Sequence, residues 1–223
     1  MNEIKIIAIT DVHGRLNQTL KIAEMSKHKD VDAIIVSGDL SRYKSIEEAK
    51  EVLEILRSSG RRIFYIPGNM DDPKICSEIL IENVECVHEK KIEFKGYTII
   101  GVGGALIGPF NTPFELSEEQ FLEIFGKLLN ENLKNNVILV THNPPYNTNA
   151  DKTSFNEHIG SKSIRLIIEK MEPILNVCGH VHEARSIDNI NKTIIVNPGP
   201  LMHGYYSEIE IGKNVEAKLL KVH

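Results

Sequence analysis

Residues 174–182 read Ile-Leu-Asn-Val-Cys-Gly-His-Val-His, an apolar run that breaks at Gly179 and then offers two imidazoles. In an extended backbone, side chains two positions apart project to the same side, so His180 and His182 are expected to aim at one spot. Neutral imidazoles converging past a strand end suit a metal ion. Alone, the segment reads equally well as two polar loop histidines. Four other apolar runs change the balance, because each stops just short of a further ligand type: Asp11 with His13, then Asp39, Asn69 and His142. In a mainly parallel sheet such strand ends share one edge, where open α/β folds bind ligands.

Seven oxygen and nitrogen donors exceed the needs of one tetrahedral ion and suit two divalent ions with open positions. A carboxylate shared by both would hold them ~3.5–4 Å apart, and Asp39, central in the series, is the candidate bridge. Two such ions carry about +4 and the carboxylates of Asp11 and Asp39 about −2, leaving roughly +2 to attract a phosphate ester. Water bound there falls in pKa from about 15.7 towards ~7, which supplies a hydroxide nucleophile near neutral pH. The chain has no G-x-S-x-G elbow or phosphate-binding P-loop to compete for the role.

The elements that must position these residues alternate. Strand-like runs at 4–10, 31–36 and 62–66 are separated by helical spacing over 16–27 and from 46 to Gly60. Short strands are expected at 84–87, 91–94 and 97–100, with a Lys95-Gly96 turn between the last two. Ser45 with Glu48, and Ser117 with Gln120, form capping boxes ahead of apolar helical stripes. A strand at 137–140 precedes a polar segment, 145–160, with no periodicity, which is expected to border a cleft. A helix over 161–171 follows, and strands at 184–187, 193–196, 205–211 and 215–220 finish the chain. With no linker or repeat to divide it, residues 1–223 are expected to form one domain.

Asp11-x-His13, Gly38-Asp39, Gly68-Asn69-x-Asp71, Thr141-His142 and Gly179-His180-x-His182 resemble, in order, the five signature blocks of the calcineurin-like metallophosphoesterases. The resemblance runs from residue 4 to about residue 200 and is nearest to a branch of small archaeal and bacterial phosphoesterases. It implies an α/β fold, a four-layer sandwich of two mixed β-sheets flanked by helices. It also implies one ion held by Asp11, His13, Asp39 and His182, and a second held by Asp39, Asn69, His142 and His180. The donor types suit Mn, the first choice, as well as Fe or Zn, and Mg less well.

Met70 departs from the pattern, because many members have histidine there to protonate the leaving group, and a thioether gives no proton. The departure tilts the expected substrate towards phosphodiesters rather than monoesters. Asp71 is expected either to orient His13 or to begin the helix after Pro73. His158 and His203 are candidates for a proton donor or a substrate contact, with solvated loop histidines as the plainer reading. Arg42 is placed either to clamp a phosphate oxygen or to form a surface salt bridge. Phe110, Phe114, Tyr146 and Phe155 are expected to stack a planar group or to pin loops to the core. No role falls to His28, His88 or His223.

Composition narrows the classes. A hydrophobic content of 41% and a charged content of 26% in 223 residues are those of a globular protein with a core. The net charge of −5 argues against general nucleic-acid affinity, and no apolar run reaches the length of a membrane span. The N-terminus enters a strand directly, so a cytoplasmic location is expected, as monomer or homodimer. Cys76, Cys86 and Cys178 form no CxxC pair and are read as small buried hydrophobes without a disulfide. The rival to a hydrolase is a scaffold that keeps the site's shape and binds a protein partner, but such a scaffold is free to lose ligands and all seven are present. A purely structural metal site is the weaker third reading, since those usually close their coordination with Cys or His.

Overall fold

The apolar runs become strands because β-branched residues fill both faces of each one. The computed structural model describes residues 3–129 and 136–222, so His223 lies outside the described residues. In chain order the elements are β1 (Ile4–Ile9), α1 (Leu16–His28), β2 (Ala33–Ser37), α2 (Ile46–Arg57), β3 (Arg62–Ile66), α3 (Ile75–Glu78) and β4 (Val84–Cys86). Then come β5 (Lys90–Phe94), β6 (Tyr97–Val102), β7 (Ala105–Leu106), β8 (Glu115–Leu116), α4 (Glu118–Leu128) and β9 (Val137–Thr141). The last are α5 (Lys162–Met171), β10 (Leu175–Val177), β11 (Ser186–Ile190), β12 (Thr193–Asn197), β13 (Tyr205–Ile211) and β14 (Val215–Lys221).

Two mixed sheets result. The first has strand order β14-β13-β1-β2-β3-β4, with β1 to β4 parallel, β13 antiparallel to β1 and β14 antiparallel to β13. The second runs β11-β12-β10-β9-β6-β5, with four central parallel strands and antiparallel edges. Alternation along each strand sends neighbours to opposite faces. Ile7, Ile34 and Tyr65 pack under α1 and α2 with Ile22, Leu53 and Leu56. Ile6, Ile35 and Phe64 instead meet Ile99, Ile138 and Val177 between the sheets. On the far side Ile100, Leu139 and Ile195 pack against Phe121, Phe125, Ile164 and Ile168 of α4 and α5. The order is helix, sheet, sheet, helix. Truncating one of these buried isoleucines to alanine costs ~2–5 kcal/mol.

Several local expectations are met and several are corrected. Phe94 pairs with Tyr97 across the two-residue turn at Lys95 and Gly96, both of positive φ. Ser117 and Gln120 cap α4 reciprocally, whereas the Ser45 side chain accepts from Glu48 N but the Glu48 carboxylate turns to Arg42. The strand expected at 184–187 lies at Ser186–Ile190, and β7 pairs with β8 in a short parallel ribbon. Cys76 and Cys86 form a disulfide, their Cα atoms 5.2 Å apart, while Cys178 is free and buried. The pair was hidden because α3 folds straight back on β4, an adjacency that cysteine spacing does not encode. Among the described residues no helix is long and apolar enough to cross a membrane.

Candidate metal centre

The C-terminal ends of β1, β2, β3, β9 and β10 meet at one end of the sandwich. Their loops are bonded to each other across both sheets. Asp11 N donates to Gly38 O at 3.1 Å, and Val12 N and His13 N both donate to Asp39 O at 2.9 Å. Gly179 N donates to His142 O at 3.0 Å, and His180 N to Asp11 Oδ2 at 3.1 Å. Asp11, His13, Asp39 and His180 all have positive φ, between 45° and 66°. Such backbone costs ~1–3 kcal/mol per residue and persists only where surrounding bonds over-determine it. Those inter-loop bonds do so here.

The left-handed turns correct one expectation. His180 and His182 do not share a side of an extended strand, because Val181 N closes a three-residue turn onto Gly179 O with His180 at its centre. The two imidazoles therefore part. His182 Nε2 lies 3.2 Å from Asp11 Oδ1 and 3.4 Å from His13 Nε2. His180 Nδ1 lies 2.9 Å from Asn69 Oδ1, which is also 2.9 Å from His142 Nε2. Between the two groups sits Asp39, whose Oδ2 is 3.6 Å from His13 Nε2 and 3.5 Å from His142 Nε2. All seven residues read from the sequence come together.

Each acid is held so that one oxygen is committed and the other faces the centre. Asp39 Oδ1 accepts Met70 N at 2.8 Å, leaving Oδ2 inward. Asp11 Oδ2 accepts the Thr10 hydroxyl and His180 N, leaving Oδ1 towards His13 and His182. His142 Nδ1 donates to Ser37 O at 2.7 Å, which presents Nε2 to the centre. Gly68 is required by a close approach, since a Cβ there would overlap both the backbone nitrogen and Oδ1 of Asp39. Thr10, Ser37 and Met70, none of them picked out for this role in the sequence, thus set the aim of the ligands. Thr10 and Met70 each adjoin a ligand in sequence, and Ser37 stands two residues before Asp39.

Burial favours the neutral form of both Asp11 and Asp39, yet His182, His142 and His13 hold Asp11 well below the usual carboxylate range. Asp39 is likewise lowered, mainly by His142, against the same burial. Burial would lower His142, but Asp39, Asp11 and the Ser37 carbonyl raise it to about 9. Burial and the charge of His142 push His180 down to about 4. Asp11 and Asp39 are 1% and 2% exposed, and both interact with imidazoles rather than with any lysine or arginine described here. Buried charge of this kind is paired or coordinates metal. Donor atoms of Asp11, His13 and His182, and of Asp11, Asp39 and His142, lie within 4.8 Å of one another. This Asp and His set fits a divalent cation.

Asp71 serves neither expected purpose. It is fully buried and accepts Ser41 N, the Ser41 hydroxyl, Leu40 N and Gly68 N at 2.8–3.0 Å. It pins the loop after Asp39 to the turn that carries Asn69, and its bonds run to these groups rather than to His13. Burial and the nearby Asp39 carboxylate push it up to about 6, against the three backbone N–H donors.

A cleft of about 470 Å³ opens over the centre, lined at its floor by His13, Asp39, Asn69, His180 and His182 and at its mouth by Tyr43, Met70, Phe110, Asn111 and Thr112. Arg42, His158 and His203 do not line it. Arg42 is exposed and forks onto Glu48, the surface salt bridge foreseen as its alternative. His158 Nδ1 pairs with buried Asp151 at 2.7 Å, and the ring lies edge-on to Tyr146. His203 is exposed on the short turn Leu201–His203. The segment 145–160 does not border this cleft either. It wraps Asp151, which accepts from the backbone of Asn147, Thr148 and Gly160, and packs on β11 and β12. Of the four aromatics singled out in the sequence, Phe110 reaches the cleft. Phe114 lies edge-on to His88, while Phe155 is exposed away from it.

Fold and centre together define a metallophosphoesterase, and a family model described as metallophosphoesterase, calcineurin superfamily, matches residues 41–220. The chain belongs to that superfamily. Over 211 residues it is 38% identical to the uncharacterized protein MJ1162 of Methanocaldococcus jannaschii, covering 91% of each chain. It is 27% identical over 200 residues to a probable cyclic nucleotide phosphodiesterase of Coxiella burnetii, covering 83% of this chain and 79% of that one. The crystal structure of TT1561 of Thermus thermophilus shares the fold, with a TM-score of 0.73 at 20% identity over 97% of this chain and 99% of that one.

Proposed function

We propose that the chain, acting as one catalytic unit, hydrolyses phosphodiesters with the help of two divalent ions, manganese first among them. The observation that carries this is the position of Asp39 Oδ2, about equally far from His13 Nε2 and His142 Nε2, between two sets of donors. One ion would be held by Asp11, His13, Asp39 and His182, and the other by Asp39, Asn69, His142 and His180. When bound, the ions acidify water and withdraw charge from the phosphoryl oxygens.

The protein's own groups do the rest. The Ser37 carbonyl keeps His142 turned with Nε2 inward, and Met70 N keeps Asp39 Oδ2 in place. Preset donors of this kind cost no reorganisation during the reaction. A water oxygen bonds to phosphorus as it gives up a proton to solvent, one ester P–O bond breaks, and the leaving alkoxide takes a proton from solvent. The Met70 thioether, at the cleft mouth, offers no proton of its own. Charge supports the diester preference, since no lysine or arginine is among the described residues lining the cleft. A singly charged diester needs less fixed positive charge than a doubly charged monoester. The 27% identical relative named as a probable cyclic nucleotide phosphodiesterase supports the same class.

The test is Asp39→Asn, assayed on bis(4-nitrophenyl) phosphate with Mn²⁺. Loss of at least ~100-fold in rate with an unchanged circular dichroism spectrum is expected. An undiminished rate overturns the mechanism. A wild-type protein that binds Mn²⁺ but cleaves no member of a phosphoester panel points instead to the scaffold reading.

A further inference from the structure

The mouth of the cleft carries two large exposed aromatics, Tyr43 at 60% and Phe110 at 85% of full exposure. A single exposed phenylalanine is ordinary, because folded surfaces are rich in apolar atoms. Two at the rim of one cleft, on segments far apart in sequence, are a different matter. Both segments are bonded to the backbone of the same turn. Lys44 N donates to Met70 O at 2.8 Å on the Tyr43 side, and Phe114 N to Asn69 O at 3.0 Å on the Phe110 side.

The Phe110 turn is also braced from within. The Glu115 carboxylate accepts Thr112 N and the Thr112 hydroxyl, both at 2.7 Å, and Gly108 N at 3.4 Å. The rim is therefore held in fixed register with Asn69, itself a proposed ligand. Met70, half-buried in the same cleft, adds a polarizable thioether, which favours contact with aromatic rings. Asn111 and Thr112 supply an amide and a hydroxyl at the rim for the edge of such a ring.

From this we infer that the rim is a subsite for a planar heteroaromatic group, so that the preferred substrate is a phosphodiester bearing a nucleobase-like ring. The inference rests on the phosphodiesterase reading for the reaction but on Tyr43 and Phe110 for the selection. Planar groups stack on aromatic side chains whatever their sequence or substituents. A flat group at the rim would leave its phosphate over the polar floor.

The experiment compares two five-membered cyclic phosphodiesters that share a reaction centre, 2′,3′-cyclic AMP and glycerol 1,2-cyclic phosphate. The Mn²⁺-loaded protein is expected to favour the first in kcat/KM, and Tyr43→Ala with Phe110→Ala to lower that preference about tenfold, through KM. A preference that is absent, or unmoved by both substitutions, overturns the subsite while the phosphodiesterase reading stands. A second readout needs no reaction. In saturation-transfer NMR, adenosine should show transfer to its base protons with the wild type and lose it with the double variant. Absence of transfer with the wild type overturns the subsite whatever the hydrolysis shows. Transfer without hydrolysis of either ester supports the subsite and removes the reaction.

Discussion

Gly68→Ala isolates the fit around the proposed bridging acid. A Cβ on residue 68 would overlap Asp39 Oδ1, Cγ and backbone N. Rotating the Asp39 side chain relieves only part of this, because the backbone nitrogen is among the atoms met. Overpacking that forces a backbone shift costs ~1–3 kcal/mol. The shift also pulls Asp39 Oδ1 from Met70 N and moves Gly68 N from Asp71 Oδ2, both now at 2.8–2.9 Å. Losing either adds about 1 kcal/mol. A total of ~2–4 kcal/mol is expected in urea unfolding of EDTA-treated protein, with Mn²⁺ affinity down at least ~10-fold by isothermal titration. Gly126→Ala is the control. It lies inside α4, meets nothing within 4 Å and has no positive φ, so the same added methyl should stabilise by ~0.5–1 kcal/mol. If Gly68→Ala unfolds at the wild-type urea concentration and keeps its Mn²⁺ affinity, the packing argument for Asp39 is wrong.

Three further outcomes are expected. Glu118 accepts the Ser161 hydroxyl, Lys162 N and Ser163 N, and these bonds lower its pKa below the ordinary 4.5 in spite of burial. A depressed acid stabilises the fold above its unfolded pKa and loses that contribution as pH falls, so Glu118→Gln should lower stability at pH 7 but flatten the decline below pH 4.5 in urea titrations. Denatured, unreduced protein should give one thiol with Ellman's reagent and three after reduction; three without reduction would refute the Cys76–Cys86 bond. Mn²⁺ at about 100 times its Kd should stabilise the EDTA-treated protein by ~2.7 kcal/mol, and elemental analysis should count two ions per chain. A single ion would sink the bridging role of Asp39.

The ligand set was readable because the chain repeats one device, an apolar run followed at once by a donor. Parallel strands turn that order in sequence into neighbourhood in space. That the first sheet is covered on both faces was readable for a related reason, since Ile6-Ile7 and Ile34-Ile35 offer an apolar side chain to each face, whereas the pairing of two sheets came from the family resemblance. What failed was finer. The shared direction assumed for His180 and His182 needs extended backbone, and a positive φ at His180 leaves no mark in residue type. Asp71 was misjudged because its partners, Leu40, Ser41 and Gly68, bond through backbone N–H groups and one hydroxyl. Segment 145–160 looked like a cleft border because it lacks periodicity, yet Asp151 gathers it from inside. Tyr43 had nothing to announce it, for nothing in the sequence says that residue 43 and residue 110 meet over one turn.

Some of the bonds that knit the ligand loops together cross from one sheet to the other, as His180 N does in reaching Asp11 Oδ2 at 3.1 Å and Ser37 Oγ in reaching Cys178 O at 3.2 Å. A chain with only its first sheet formed holds Asp11, His13, Asp39 and Asn69, but none of the three histidines contributed by the second half. Under the proposed assignment, each coordination sphere stays incomplete until the two halves dock. Cations of this kind would act as a clasp on the finished sandwich, adding nothing to partly assembled forms and holding together the interface that creates their cage.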